Sequence, residues 1–216
     1  MQLLSRALVA LAAIALFVPL NARAASLRIV VLGDSLVAGP GLRHGEAFPE
    51  ALERRLRASG RDVAITNAGV SGDTAANGLA RMDWSIPDGT DLVIVELGAN
   101  DMLRGHDPNL TRQTLDAVFR RVKERGMALV IAGMRAINNY GPEYQREFDA
   151  IYPALAKEHG VPLFPFFMDG IFGHTEFLLP DRLHPSAAGV NEMVERFLPF
   201  ITPIVDVLAR EKQRGG

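Results

Sequence analysis

Short, nearly unbroken apolar runs alternate along this chain with longer stretches in which apolar residues recur at helical spacing. The runs fall at residues 27–32, 63–67, 92–97, 128–132 and 161–164. Leu27-Arg28-Ile29-Val30-Val31-Leu32 and Leu92-Val93-Ile94-Val95-Glu96-Leu97 have the length of buried strands and are too short for core helices. Between the runs, residues 46–59, 74–82, 111–125, 142–159 and 186–200 read as helices. Phe48, Leu52 and Leu56 share one face of the first of these, and Leu115, Val118, Phe119 and Val122 one face of the third. Gly60, Gly126 and Gly160 stand just past three helices as stops. Ser186 sits where an N-cap belongs, and Pro203 is expected to interrupt the last helix before a C-terminal turn or short helix.

Strands alternating with helices predict βαβ crossovers and a parallel sheet covered on both faces, which is a three-layer α/β/α sandwich. The continuous apolar strands fit that double burial. Functional residues are then expected in loops at the carboxyl ends of the strands. No internal repeat, low-complexity segment or linker divides residues 25–216, so these form one domain.

Residues 1–24 stand apart. Arg6 precedes an apolar stretch at 7–20, Pro19 and Asn21 break it, and Ala22-Arg23-Ala24 offers small residues where signal peptidase cuts. The stretch is shorter than the roughly 20 residues a transmembrane helix needs. It predicts a signal peptide cleaved after Ala24, a periplasmic or secreted protein, and no membrane anchor afterwards.

Composition narrows the choice further. The chain of 216 residues is 48% hydrophobic and 22% charged, the balance of an ordinary globular domain. It has no cysteine, which removes disulfides, thiolate metal sites and a cysteine nucleophile. With 23 Lys+Arg against 25 Asp+Glu and net charge −2, neither a nucleic-acid partner nor a polybasic membrane contact is expected. No heptad is readable, and a monomer is the default.

Candidate chemistry collects at the strand ends. The first strand runs into Gly33-Asp34-Ser35-Leu36, the second into the segment Asn67-Ala68-Gly69-Val70-Ser71-Gly72-Asp73-Thr74, and the third into Gly98-Ala99-Asn100-Asp101. Near the C-terminus lies Asp181-Arg182-Leu183-His184-Pro185. Each has a structural reading as well. Ser35 can be a cap, Ser71 or Asp73 can cap the following helix, and Asn100 can belong to a turn. Taken together they offer a hydroxyl nucleophile, a glycine N–H, an amide donor and a carboxylate–imidazole pair. His44, His106, His159 and His174 read as bystanders, with His106 the best placed of them to line a cleft.

These stretches, with NNYGPEY at 138–144 and IYPALAKEHGVPLFPFFM at 151–168, resemble the SGNH hydrolases, the GDSL family of lipases and esterases. Within that family they are most similar to the exported bacterial thioesterase, lysophospholipase and arylesterase group. The resemblance spans essentially the whole of residues 25–216. It implies a flavodoxin-like sandwich with Ser35 as nucleophile, His184 as general base and then acid, and Asp181 orienting His184. It further implies an oxyanion hole made by the N–H groups of Ser35 and Gly72 and the side chain of Asn100. No metal or organic cofactor is implied, and the substrate class is small acyl esters, thioesters or lysophospholipids.

The loop at 102–109 is expected to cover an acyl chain, with Met102, Leu103 and His106 as contacts. Tyr140 and the Phe166-Phe167-Met168 run are expected to add further wall, at least one phenylalanine going to the core. An α/β-hydrolase elbow, a P-loop and a dinucleotide fingerprint are all absent around Gly33-Asp34-Ser35. A carbohydrate O-deacetylase with the same triad, and a non-catalytic binding protein on the same scaffold, are the alternatives. Chain-length and substrate preference stay open at this level.

Overall fold

The computed structural model describes residues 26–215. The leader, its cleavage and the export it predicts lie outside the described residues. Five parallel strands form one sheet: β1 (Leu27–Gly33), β2 (Val63–Gly69), β3 (Leu92–Glu96), β4 (Ala128–Ala132) and β5 (Leu163–Phe164). Their order is β2-β1-β3-β4-β5. Around them run α1 (Ser35–Ala38), α2 (Phe48–Ala58), α3 (Ala75–Ser85), α4 (Ala99–Leu103), α5 (Pro108–Glu124), α6 (Gly141–Asp149), α7 (Ile151–His159) and α8 (Ala187–Gly215). The expected α/β sandwich is therefore the fold. Helices α2 and α8 pack together, as do α3, α5 and α7, and these two groups cover the sheet. Val30, Val31, Leu32, Val93, Ile94 and Val130 are buried between the two layers. That double burial is why these strands read as unbroken apolar runs.

Strand order reverses between β1 and β3, since the chain goes from β1 outward to β2 and then returns to the other side of β1. A crevice opens at the carboxyl ends of the strands at such a point. The segments leaving β1 and β3 meet there, with Gly33 in register between Gly69 of β2 and Glu96 of β3.

The helices depart from the sequence expectation in four places. The stretch 142–159 forms two helices with Ala150 between them. Pro153 lacks the N–H that would bond the Asp149 carbonyl, and its ring crowds that carbonyl, so α6 ends there. The last helix instead runs through both Pro199 and Pro203 to Gly215. These prolines are exposed, one turn apart on the solvent side, and so are Glu195 and Pro199, whose carbonyls lose their partners to water. The opposite face, with Val190, Phe197, Ile201 and Val205, is buried and holds the helix straight enough to continue.

The cap of α3 is Thr74, not Ser71 or Asp73. Thr74 Oγ1 accepts the Asn77 N–H (3.3 Å) while Asn77 Oδ1 accepts the Thr74 N–H (3.1 Å). Asp73 instead binds Arg81 Nε (2.5 Å), and Arg81 Nη2 donates to the Gly33 carbonyl (2.9 Å). This buried pair ties α3 to the end of β1. Lastly, α1 and α4 are short helices directly after β1 and β3, where only turns are readable in the sequence. Ser186 does cap α8, its hydroxyl accepting the Gly189 N–H (3.2 Å).

Candidate active site

At the end of β1, Asp34 turns the chain into α1 by accepting the Leu36 N–H on Oδ1 (3.0 Å). Ser35 thereby becomes the first residue of α1, at the mouth of the crevice. A Cβ on Gly33 would stand 2.4 Å from Val37 Cγ2 and 2.8 Å from the Glu96 carbonyl oxygen. Only glycine lets α1 fold back so close to β3.

The loop before α8 comes across the crevice to this serine. His184 Nε2 lies 2.9 Å from Ser35 Oγ, and His184 Nδ1 lies 2.8 Å from Asp181 Oδ2. Asp181 Oδ1 accepts the N–H groups of Leu183 (2.9 Å) and His184 (3.0 Å). The His184 imidazole, with those two N–H groups, holds the Asp181 carboxyl down to about 2. An ionised Asp181 keeps the imidazole proton on Nδ1, so Nε2 is free to accept the Ser35 hydroxyl proton. The fold thus brings together the Ser, His and Asp singled out in the sequence.

The three residues expected to supply oxyanion donors line the same crevice. As the first helical residue, Ser35 has no intrahelical partner for its N–H. Gly72 lines the crevice at φ +88°, in the left-handed region that glycine occupies without strain. Asn100, on α4, donates from Nδ2 to Asp34 Oδ2 (3.0 Å). A carboxamide has two N–H bonds, so this contact fixes the amide's orientation and leaves the second N–H for the crevice.

Behind Asn100 lies a carboxyl pair with no counterpart in the sequence reading. Asp34 and Glu96 are both wholly buried, and the Asp34 N–H points at Glu96 Oε2 (3.3 Å). Burial pushes Asp34 up to about 6, against the opposing pull of the Leu36 N–H, Glu96 and Asn100. Burial, with the Asp34 charge beside it, pushes Glu96 well above the usual carboxylate range. Two carboxyl groups sealed together cannot both ionise. The Leu36 N–H and the Asn100 amide both donate to Asp34 and favour the charge there, while burial disfavours it on Glu96.

A buried acid of raised pKa favours the folded state most below its unfolded pKa, and that advantage is lost as pH rises through its folded pKa. In that window the loss is about 1.4 kcal/mol per pH unit for each such group. Glu96→Gln is therefore expected to flatten the fall in Tm as pH rises above the usual carboxylate range. Superimposable profiles for the two proteins would refute a protonated Glu96.

The crevice opens into a cleft of about 620 Å³ that contains Ser35, Gly72, Asn100 and His184. That volume is within the range of roughly 300–1,000 Å³ for small-molecule sites. Its wall is chiefly apolar, with Met102, Leu103, Met134, Ile137, Phe166, Met168 and Phe172 prominent. Met102 and Leu103 thus face the cleft, whereas His106 and Tyr140 do not line it. The ring of His106 is 3.6 Å from Asp101 and faces outward, 45% exposed. The Tyr140 hydroxyl donates to the Leu103 carbonyl (3.0 Å), so Tyr140 braces the α4 loop from outside. In the phenylalanine run, Phe166 and Met168 face the cleft and Phe167 packs on Phe48 in the core.

Met134, Arg135 and Ile137 were missed in the sequence, although they follow β4 directly. The rule that sites gather at the carboxyl ends of strands points to them. Phe172 carries no local signal, and Arg182 and Leu183 lie inside the Asp181–His184 block without being singled out there. Among the described residues, no group of three His, Asp or Glu side chains is arranged to hold a metal.

A serine hydrogen-bonded to a carboxylate-oriented histidine, in a crevice also lined by Gly72 and Asn100, is the arrangement of a serine hydrolase on a three-layer α/β sandwich. Comparison with known proteins agrees with that class. Residues 31–191 match the GDSL-like Lipase/Acylhydrolase family. The arylesterase of Vibrio mimicus is 39% identical over 180 residues, covering 82% of this chain and 90% of that protein. The thioesterase 1/protease 1/lysophospholipase L1 of Escherichia coli (strain K12) is 38% identical over 184 residues, covering 85% and 87%. The crystal structure of AlinE4, an SGNH-hydrolase family esterase, superimposes with a TM-score of 0.70 at 43% identity, covering 83% of this chain and 96% of that one. The chain belongs to the GDSL-like lipase/acylhydrolase family and is a serine esterase.

Proposed function

We propose that this esterase cleaves carboxylic esters with an extended acyl chain, and acyl thioesters or lysophospholipids, through an acyl-enzyme on Ser35. The observation that carries this reading is the Ser35–His184–Asp181 relay set in a cleft whose wall is mostly aliphatic, aromatic and thioether. Ser35 Oγ attacks the acyl carbonyl carbon as His184 Nε2 takes its proton. The carbonyl oxygen becomes an oxyanion held by the N–H groups of Ser35 and Gly72 and by Asn100. His184 then returns the proton to the leaving alcohol or thiol. Water repeats the cycle on the acyl-enzyme and releases the acid. The apolar wall takes the acyl chain, since burying each CH₂ there contributes about 0.8 kcal/mol. The names of the V. mimicus and E. coli relatives support ester and thioester substrates here as well.

The test is a p-nitrophenyl ester series from acetyl to palmitoyl, with palmitoyl thioester alongside. We expect kcat/KM to rise from acetyl to medium chains and the thioester to be turned over. Activity confined to the acetyl ester would instead favour a carbohydrate O-deacetylase.

A further inference from the structure

The apolar cleft has a cationic side that the acyl-transfer chemistry does not use. Arg135 follows β4 and Arg182 lies between Asp181 and Leu183, and both line the cleft with Ser35 and His184. Neither guanidinium has a carboxylate partner or a hydrogen bond among the described residues. The one charge contact of Arg135 is with the Phe166 ring, 5.4 Å from guanidinium carbon to centroid. By contrast, Arg55, Arg61, Arg81, Arg112, Arg121 and Arg196 all sit on acids.

The acids near the cleft do not neutralise this pair. Asp34 is buried and held by the Leu36 N–H and Asn100, and Asp181 is held by His184 and two N–H groups. A third guanidinium, of Arg104, donates to the Gly72 carbonyl (2.8 Å) at the rim and adds positive charge there.

Arg182 also carries a conformational cost. Its φ is 59°, and among the described residues no other non-glycine has a positive φ. An L-residue in that region is strained in a way that glycine is not. Such strain persists at sites where the side chain is used. Arg182 is two residues from His184, the group that hands a proton to the leaving group. Arg182 and His184 line the same cleft, into which the leaving group departs.

We infer that Arg135 and Arg182 are specificity-determining residues that select acyl esters whose leaving group carries an anionic oxyacid group, phosphate or carboxylate. Guanidinium groups match the planar, multi-oxygen faces of both anions. This inference rests on the esterase reading above and deepens it.

The experiment compares substrates of one acyl chain below their critical micelle concentrations: 1-octanoylglycerol, 1-octanoylglycerol 3-phosphate and O-octanoyl lactate. For the wild-type protein we expect at least one anionic ester to exceed the neutral one in kcat/KM by roughly tenfold or more, the worth of a charge-assisted hydrogen bond. The phosphate and carboxylate arms show which anion is read. Added NaCl should shrink the preference, because both arginines are exposed to solvent. In Arg135→Gln/Arg182→Gln the anionic-to-neutral ratio should fall to within about twofold of unity, and Arg182→Lys should recover part of it. Ratios are compared within each protein, so a general loss of activity or folding cancels, and either single Arg→Gln variant serves if the double one does not fold. A wild-type ratio near one with the neutral ester turned over overturns this inference alone, as does a ratio that survives both substitutions. Failure of all three esters in folded wild-type protein overturns the esterase reading with it.

Discussion

Ser35→Ala is expected to lower kcat/KM toward every ester by roughly 10⁴–10⁶-fold, the range seen when a serine nucleophile is removed from such a triad. The physical reason is that no other group can take its place. Ser35 Oγ is the atom within hydrogen-bond distance of His184 Nε2, and it stands among the donors that would hold the oxyanion. The folded state should tolerate the change. Ser35 carries no structural side-chain bond apart from that to His184, and the cap of α1 belongs to Asp34. An unchanged Tm with turnover lost would assign the defect to chemistry. Binding to the cleft should persist, so a non-hydrolysable fatty-acid ligand should still protect the variant against heating. Turnover within tenfold of wild type would overturn the assignment of Ser35 as nucleophile.

Asn100→Ala is expected to cost roughly 10²–10³-fold in kcat, as for removal of one preorganised oxyanion donor. Its effect should fall on kcat more than on KM, because the amide meets the oxygen only once negative charge develops there. The substitution also removes one of the bonds that satisfy the buried Asp34 carboxylate, so a fall in Tm is expected too. Asn100→Gln keeps the amide but displaces it, and should be impaired in kcat as well. An Asn100→Ala effect below about fivefold would exclude the role.

Much of this architecture is legible in the sequence because its signals are local. Strands buried on both faces read as apolar runs, and glycines mark the ends of α2, α5 and α7. Two of the four departures in the helices have one cause, the weight given to proline. Pro153 divides a helix where its freed carbonyl, that of Asp149, has no continuing partner within the helix, and the Asp149 side chain turns instead to the Ala136 N–H (2.7 Å). Pro199 and Pro203 do not divide α8, although they are exposed just as Pro153 is. A proline by itself therefore does not say whether a helix ends there, and the assembled fold decides it.

The site divides in the same way. Ser35, Gly72, Asn100, Asp181 and His184 can be named from sequence because each sits in a short block at the end of a strand or before a helix, where the βαβ pattern puts chemistry. Met102 and Leu103 follow from their place beside Asn100. His106 and Tyr140 do not line the cleft: His106 lies past the end of α4 and turns to Asp101, and Tyr140, at the start of α6, reaches the Leu103 carbonyl from outside. The sequence alone determined the class of fold, the strand-end positions and the chemical types available at them, all of which depend on local pattern.

Tertiary structure decided the rest. It set the closure of Ser35 on His184 across 149 residues, the burial of Glu96 beside Asp34 that raises its pKa, and the arginines left unpaired in an apolar cleft. Each depends on which groups meet and how far water is excluded from them. Proximity and desolvation arise only when distant segments pack.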